Sequence, residues 1–484
     1  MSFRTTIGWE THLKPFFYKR LPSRTGWSAV IGSLCALNFL LLVLTGMALA
    51  LYYVPSPEKA WDSVQFISKE VPMGAVLRGL HHWGSGSMVT LVCIHLMATY
   101  IQGSYMKPRH ITWITGVLLF LCILGLGFTG YLLPWDMKAY WATKVAANIP
   151  AELPGIGEYI TRFVLGGDAM SGFTLTRFYS VHTLILPACV MFFMTAHIYL
   201  IRLHNLSNPR ERMTGEELLP EENEKPYRFY PEHMNRAAAA FAVLFVVLLL
   251  IAAHVPAPME ERAGAFIADY LPRPEWYYMW LFQLLTYFSG AWEIVGSLLL
   301  PIVGIALLFA APFLSESRIR GLINRPIATT VSSVLIICLA YLTAMAYVDV
   351  SPYNKTVTIP SRQLSLEEHK GLKIYVEREC AYCHNILGEG GRGTGPDLSN
   401  TARRKRSEKY IMEYVKEPAK VFRSSSMPAY NLKEEDLQHL ASFLRALNFT
   451  KGVKPVSVPT ETLVPGITKK YGITAAKEKG DGKI

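Results

Sequence analysis

The sequence predicts an all-α protein: seven transmembrane helices, followed by a small soluble α-helical domain. Three observations predict it. The 484 residues are 51% hydrophobic and only 18% charged, too apolar for an ordinary soluble chain of this length. Seven apolar runs are each about 20 residues long, enough to cross ~30 Å of hydrocarbon. After them the composition turns polar, and that last stretch carries the pattern Cys380-Ala-Tyr-Cys383-His384.

The apolar runs fall near 27–53, 76–102, 111–133, 176–202, 236–256, 293–314 and 327–348. Positive charge sets their orientation. The N-terminal arm (Arg4, Lys14, Lys19, Arg20, Arg24), the loop with Lys107 and Arg109, and the loop with Arg318, Arg320 and Arg325 all fall on one side, the cytoplasmic side by the positive-inside rule. The charge-mixed loop 203–235 adds little. With an odd number of spans, everything after Val350 lies outside. The formal charge of +11 is accounted for by basic residues flanking the spans and by a basic C-terminal domain, so no nucleic-acid partner is expected. The basic N-terminus has no short apolar core with a small-residue cleavage site, and a removable signal peptide is not expected. Cys35, Cys93, Cys122, Cys189 and Cys338 lie inside apolar runs, so no disulfide framework is implied.

Cys-x-x-Cys-His is the attachment signature of a c-type haem, chemistry normally completed outside the cytoplasm. The charge pattern independently places residue 380 there. A zinc site would need a second Cys pair or a His-x-x-x-His, and neither follows. The tail reads as a linker with Pro352 and Pro360, a helix leading into the motif, a helical segment around 409–417, the stretch SSSMPAY and a last helix from 434 to 448. It looks like a small class I cytochrome c, with Cys380 and Cys383 in thioether bonds and His384 as one axial ligand. Met427, in a polar extended segment before Pro428, is the candidate second ligand; Met412 lies in a helical pattern.

Four histidines give the spans their chemistry. His81 and His95 on the second span are about 40° apart around a helix and ~21 Å apart along it. His182 and His197 on the fourth are about 60° and ~22 Å apart. Both spans run from outside to inside, so His81 pairs with His182 near the outer face and His95 with His197 near the inner face. Gly32 and Gly46 on the first span, and Gly116 and Gly130 on the third, repeat the interval. Flat porphyrins lying against bare backbone in a four-helix haem-binding bundle account for that repeat, with three further helices beside it. Pro187, between the fourth span's histidines, can distort the helix to accommodate its extra residue.

Residues 1–210 resemble the cytochrome b subunit of the cytochrome bc/bf family, through GFTGYLLPWD at 127–136, TLTRFYSVHT at 174–183 and the paired histidines. Residues 211–350 resemble its second part, through Pro274-Glu-Trp-Tyr277; this PEWY and the interval from His182 to His197 are similar to the bf branch. The remaining divisions are a linker at 351–365, the cytochrome c domain at 366–450 and a tail at 451–484.

The resemblance implies a quinol:cytochrome c-type oxidoreductase that contributes to a proton gradient, with two non-covalent b haems and one covalent c haem. By resemblance, one electron from quinol goes to a Rieske iron–sulfur protein and then to haem c, and the other through the outer and inner b haems to a second quinone site. The chain holds no Rieske ligand pattern, so that protein must be a partner. Menaquinol is favoured as substrate, an electron acceptor must serve the c domain, and a homodimeric complex in the bacterial cytoplasmic membrane is expected. Glu275 is the candidate proton acceptor, since a carboxylate among aromatic residues on the outer side can take a quinol proton. Tyr277 and Tyr131 are candidate pocket residues, and Arg78 and Arg177 candidate partners of haem propionates. Arg202, Asn235 and Arg236 stand at the inner quinone face. The bf branch tethers an extra haem through a cysteine two residues before the first glycine; Val30 stands there, and Cys35 is read as packing. Two other classes compete: a di-haem anchor for a dehydrogenase, needing neither PEWY nor GYLLPWD, and a proton-relay transporter, needing no Cys-x-x-Cys-His.

Overall fold

The structure is a computed structural model describing residues 14–22, 26–153, 155–167, 170–207, 227–263, 273–288, 292, 294–314, 325–348, 356–378, 380–387, 389–390, 396–399, 401, 407–421, 427, 429–449 and 454–464. Arg4, Arg24, Arg318, Arg320, Pro352, Pro428 and most of the charge-mixed loop lie outside the described residues, as does the end of the expected tail.

Among the described residues, seven helices are long and apolar enough to cross a membrane: Trp27–Ala50, Gly74–Ile101, His110–Leu132, Gly172–His204, Phe229–His254, Val295–Leu314 and Pro326–Val348. All seven sequence expectations are met, with ends moved by a few residues. Their outward faces carry large exposed apolar side chains, among them Leu44, Met47, Phe192 and Ile337. Such a surface belongs in lipid, where no water is ordered against it and every backbone group is satisfied within the helix. The protein is membrane-bound.

The first four spans form a bundle: the first packs along the second, and the third along the fourth. A buried layer of Cys35, Phe39, Met88, Val89, Ile123 and Val190 fills it, and Cys35 is packing, as expected. Asn38, fully buried on the first span, donates to the Gly84 carbonyl and to Ser87 Oγ on the second, tying the pair together where no water competes.

The fourth span contains a π turn at Val181–Ile185, closed by Leu186 N–H on the Val181 carbonyl. Pro187 brings no N–H to continue the ordinary ladder, and the wider turn absorbs the extra residue between His182 and His197. The distortion expected from Pro187 thus takes a definite form, centred one turn earlier and including a histidine.

Short helices join the spans. Asp136 caps Met137–Asn148 by accepting from Ala139 N–H, and its other oxygen accepts from Glu260 N–H. One carboxylate therefore pins the loop after the third span to the segment after the fifth. Trp61 Nε1 on Glu260 and Trp83 Nε1 on Val255 hold the same segment down.

The C-terminal unit packs Leu366–Glu377 across Glu434–Ala446 around Leu372, Tyr375, Leu437, Leu440 and Phe443. Ser365 and Glu368 close a capping box at the first helix. At Gly371 an added Cβ would sit 2.0 Å from the His439 carbonyl oxygen, so only glycine permits this crossing. A strand in the expected linker, Thr356–Pro360, pairs antiparallel with Pro455–Pro459 in the expected tail. The sequence reading did not foresee that pairing.

Candidate functional site

Each of the four bundle histidines faces one of the four glycines, where the sequence reading expects the porphyrins to lie. The position a Cβ would take lies 3.1 Å from His81 Cε1 at Gly46, 2.6 Å from His182 Cε1 at Gly130, 3.0 Å from His95 Cε1 at Gly32 and 3.3 Å from His197 Cε1 at Gly116. The glycines therefore make room for the imidazoles themselves.

Three of these rings are also oriented by threonines that sequence reasoning missed. Thr45 Oγ1 donates to the Leu41 carbonyl, Thr129 Oγ1 to Gly125 and Thr115 Oγ1 to Thr112, each at 2.8 Å. With their protons committed, these hydroxyls must accept from the rings: from His81 Nδ1 at 2.9 Å, His182 Nδ1 at 3.1 Å and His197 Nδ1 at 2.9 Å. Nδ1 then carries the hydrogen and Nε2 the free lone pair, the tautomer a metal needs. The signal was in the sequence, since each threonine immediately precedes its glycine (Thr45-Gly46, Thr115-Gly116, Thr129-Gly130). Before Gly32 stands Ile31, and His95 Nδ1 is buried with no hydrogen-bond partner among the described residues.

His81 and His182, the pair expected toward the outer face, have room for an iron between their rings. Two imidazoles each ~2.0 Å from one metal ion would have centroids about 6 Å apart. Those of His81 and His182 are 6.3 Å apart, at 75° to one another.

Beside the outer pair lies a cavity of about 560 Å³. His81, His182, Arg78, Tyr131, Lys138, Glu275 and Tyr277 all line it. Glu275 ends the extended segment before the turn Trp276–Tyr278, and Lys138 Nζ donates to its Oε1 at 2.7 Å. Lys138 was not among the expected site residues. Tyr277 is buried, its hydroxyl 2.9 Å from where a Cβ on Gly127 would sit. Burial first, then the neighbouring Tyr278, Glu275 and Tyr131, raises its phenol well above the ordinary value. Burial likewise pushes the Asp136 carboxyl up, against the pull of the Ala139 and Glu260 N–H groups, Lys138 and Arg78.

The two candidate propionate arginines part company. Arg78 lines the cavity and donates to the Ala257 carbonyl at 3.1 Å and to that of Pro258. Arg177 donates to the Phe163 carbonyl at 2.6 Å, away from the cavity-lining set.

At the inner end, Arg202 lies 4.2 Å over Phe229, and Arg236 lies 4.8 Å over Tyr227. Among them His233, buried, hydrogen-bonds Ser33 Oγ at 3.0 Å, one residue from Gly32. His233 was also missed, because it sits just before the apolar run of its span.

In the C-terminal unit, His384 Nδ1 donates to the Pro396 carbonyl at 2.8 Å, leaving Nε2 for a metal. Burial lowers its proton affinity, offset partly by that bond. Cys380 and Met427 both pack against the core of this unit.

Seven spans, the facing pair His81 and His182, His95 and His197 against the bundle's other two glycines, and an appended Cys-x-x-Cys-His unit define a membrane electron-transfer class of protein. The comparisons make it specific. A family model described as Cytochrome b/b6/petB matches residues 19–205, Cytochrome b(C-terminal)/b6/petD matches 272–363, and Cytochrome c matches 369–448. The menaquinol:cytochrome c reductase cytochrome b subunit of Bacillus subtilis (strain 168) is 46% identical over 168 residues, covering 34% of this chain and 75% of that one. Cytochrome b6 of Chlamydomonas reinhardtii is 38% identical over 191 residues, covering 40% and 89%. A solved structure titled Hyperthermophilic respiratory Complex III aligns with TM-score 0.64 at 24% identity, over 71% of this chain and 91% of that one, a likeness of fold. The chain belongs to the cytochrome b/b6 family and carries a cytochrome c domain fused to its C-terminal end.

Proposed function

We propose that this chain is the fused cytochrome b and c subunit of a quinol:cytochrome c-type oxidoreductase, oxidising quinol near the outer membrane face. The observation that carries the reading is the single cavity that brings the Glu275–Lys138 pair and Tyr277 beside the outer histidine pair. A titratable carboxylate and electron-carrying ligands must meet at one place if proton release and electron transfer are to be coupled. The name of the Bacillus subtilis relative supports menaquinol as the substrate.

In this reading His81 with His182, and His95 with His197, hold two b haems. Cys380, Cys383, His384 and Met427 hold haem c. Haem, when bound, supplies one-electron transfer at each iron. Glu275 accepts a quinol proton, and Tyr277 and Tyr131 shape the cavity. Arg78 faces the outer propionates, a role that the placement of Arg177 does not support. A Rieske protein takes the first electron. The working division remains 1–210, 211–350, 351–365, 366–450 and 451–484, with the N-terminus cytoplasmic, the c domain outside and the complex dimeric.

A reduced-minus-oxidised spectrum of the purified protein tests the class, since only this reading requires both b- and c-type bands. Acid acetone should remove two haems and leave one on the polypeptide. A spectrum without b bands, or no haem reduction on adding menaquinol with the Rieske partner present, would sink it. Met427→Ala should lower the haem c potential and leave the b bands alone; an unaltered haem c would remove Met427 as ligand.

A further inference from the structure

We propose that Lys138 is a catalytic residue of the same reaction. Its ammonium follows the negative charge from the Glu275 carboxylate to the quinolate oxygen formed when Glu275 takes the proton. The inference rests on the quinol reading of the cavity and names a participant which that reading lacks.

The geometry comes first. Lys138 and Glu275 stand 137 positions apart in the chain, on two separate loops, yet they meet at 2.7 Å with side chains 24% and 15% exposed. Asp136 caps the helix at Met137 and so fixes Lys138 in its first turn, where a side chain leans back toward the helix N-terminus and here into the cavity. The other charges facing the couple are differently engaged. Arg78 bonds the Ala257 and Pro258 carbonyls, and Asp136 bonds the Ala139 and Glu260 N–H groups. His82 on the second span, and Tyr131 and Tyr277, complete the titratable groups around Glu275.

An ion pair set in a mostly apolar cavity is a weak source of stability, because desolvation offsets the Coulombic gain. It can, however, do chemistry. A quinol O–H bond breaks and its proton forms a new O–H bond on Glu275, turning neutral quinol and carboxylate into quinolate and neutral carboxylic acid. The ammonium has then lost its anion, and the new one lies within the same cavity. Lys138 donates to it, and the summed charge of lysine, glutamate and quinol stays at zero throughout. A low-dielectric site favours that constancy, and a donor placed where charge develops stabilises the step.

The test uses the whole complex with Lys138→Met, Lys138→Gln and Lys138→Arg, driven by quinols whose ring substituents make the hydroxyls more or less acidic. Loss of an oxyanion-stabilising donor costs roughly 10²- to 10³-fold in turnover. Lys138→Met and Lys138→Gln should lose on that order with ordinary quinol, mainly in kcat rather than KM. The more acidic quinols, or a higher pH, should restore much of the loss, because they form quinolate unaided. Lys138→Arg should keep most of the activity. Turnover equal to wild type with every quinol, or a loss identical for all quinols at every pH, would overturn the proposal and reduce Lys138 to a structural contact. Failure of the parent reading looks different, since wild type itself would then reduce no haem with any quinol.

Discussion

The two ends of the bundle hold their histidines by different means. At the outer end both His81 and His182 bond a threonine whose proton is already committed to a helix carbonyl, and a cavity with a charged couple opens beside them. At the inner end His197 has such a threonine, while His95 has isoleucine at the corresponding place and an orphan Nδ1. The bundle is thus a pseudo-repeat broken at one position, and the break falls on the surroundings of His95.

The largest effect should come from filling the tightest of the four glycines that face the bundle histidines. A Cβ at Gly130 would lie 2.6 Å from His182 Cε1, a separation that forces the ring to move, whereas at Gly116 the corresponding 3.3 Å asks for a shift of tenths of an ångström. Gly130→Ala is expected to lose most of the outer b haem and with it quinol oxidation, while Gly116→Ala retains both b haems. Haem content by acid-acetone extraction decides; equal retention in the two variants would mean that the bundle adjusts freely around its rings.

Next in size is Glu275→Gln, which keeps the shape but accepts no proton near neutral pH. General-base catalysis contributes up to roughly 10²- to 10⁴-fold. A loss of at least about tenfold is expected, ~1.4 kcal/mol of barrier, with both b-haem spectra unchanged. Wild-type turnover in the variant at every pH would leave PEWY only the task of shaping the cavity.

Much of this was legible in the sequence, for identifiable reasons. A span is encoded in one continuous run, so hydropathy finds it. The histidine and glycine intervals lie on single helices, where periodicity fixes position. The appended domain announces itself in five residues. What stayed hidden depends on contacts between distant segments. Lys138 meets Glu275 only because Asp136 ties two loops together. His233 reaches Ser33 from the next part of the chain. The strands Thr356–Pro360 and Pro455–Pro459 are short and bounded by prolines, and though Thr-Val-Thr-Ile and Val-Ser-Val alternate as strands do, nothing local says that each is the other's partner. The Thr-Gly pairs were in plain view, yet gained meaning only once each hydroxyl was seen to have already spent its proton.

The smallest effect is the most specific to the comparison. A ring that donates from Nδ1 to a hydroxyl becomes a stronger electron donor through Nε2, favouring the oxidised iron and lowering its potential. By this logic the inner haem, with one ligand lacking an acceptor, should have a higher potential than the outer, and an electron passing inward would run downhill. Ile31→Thr should supply the missing acceptor, with its own proton available to a carbonyl earlier in the helix, as at Thr45. If one net hydrogen bond of about 1 kcal/mol distinguishes the two oxidation states, the inner potential falls by about 40 mV. The outer potential and the haem c potential should stay where they are. Redox titration followed separately at the two b-type bands is the measurement. An inner potential that does not move, with His95 still ligating, would show that the broken repeat concerns packing and that the difference between the two ends arises elsewhere.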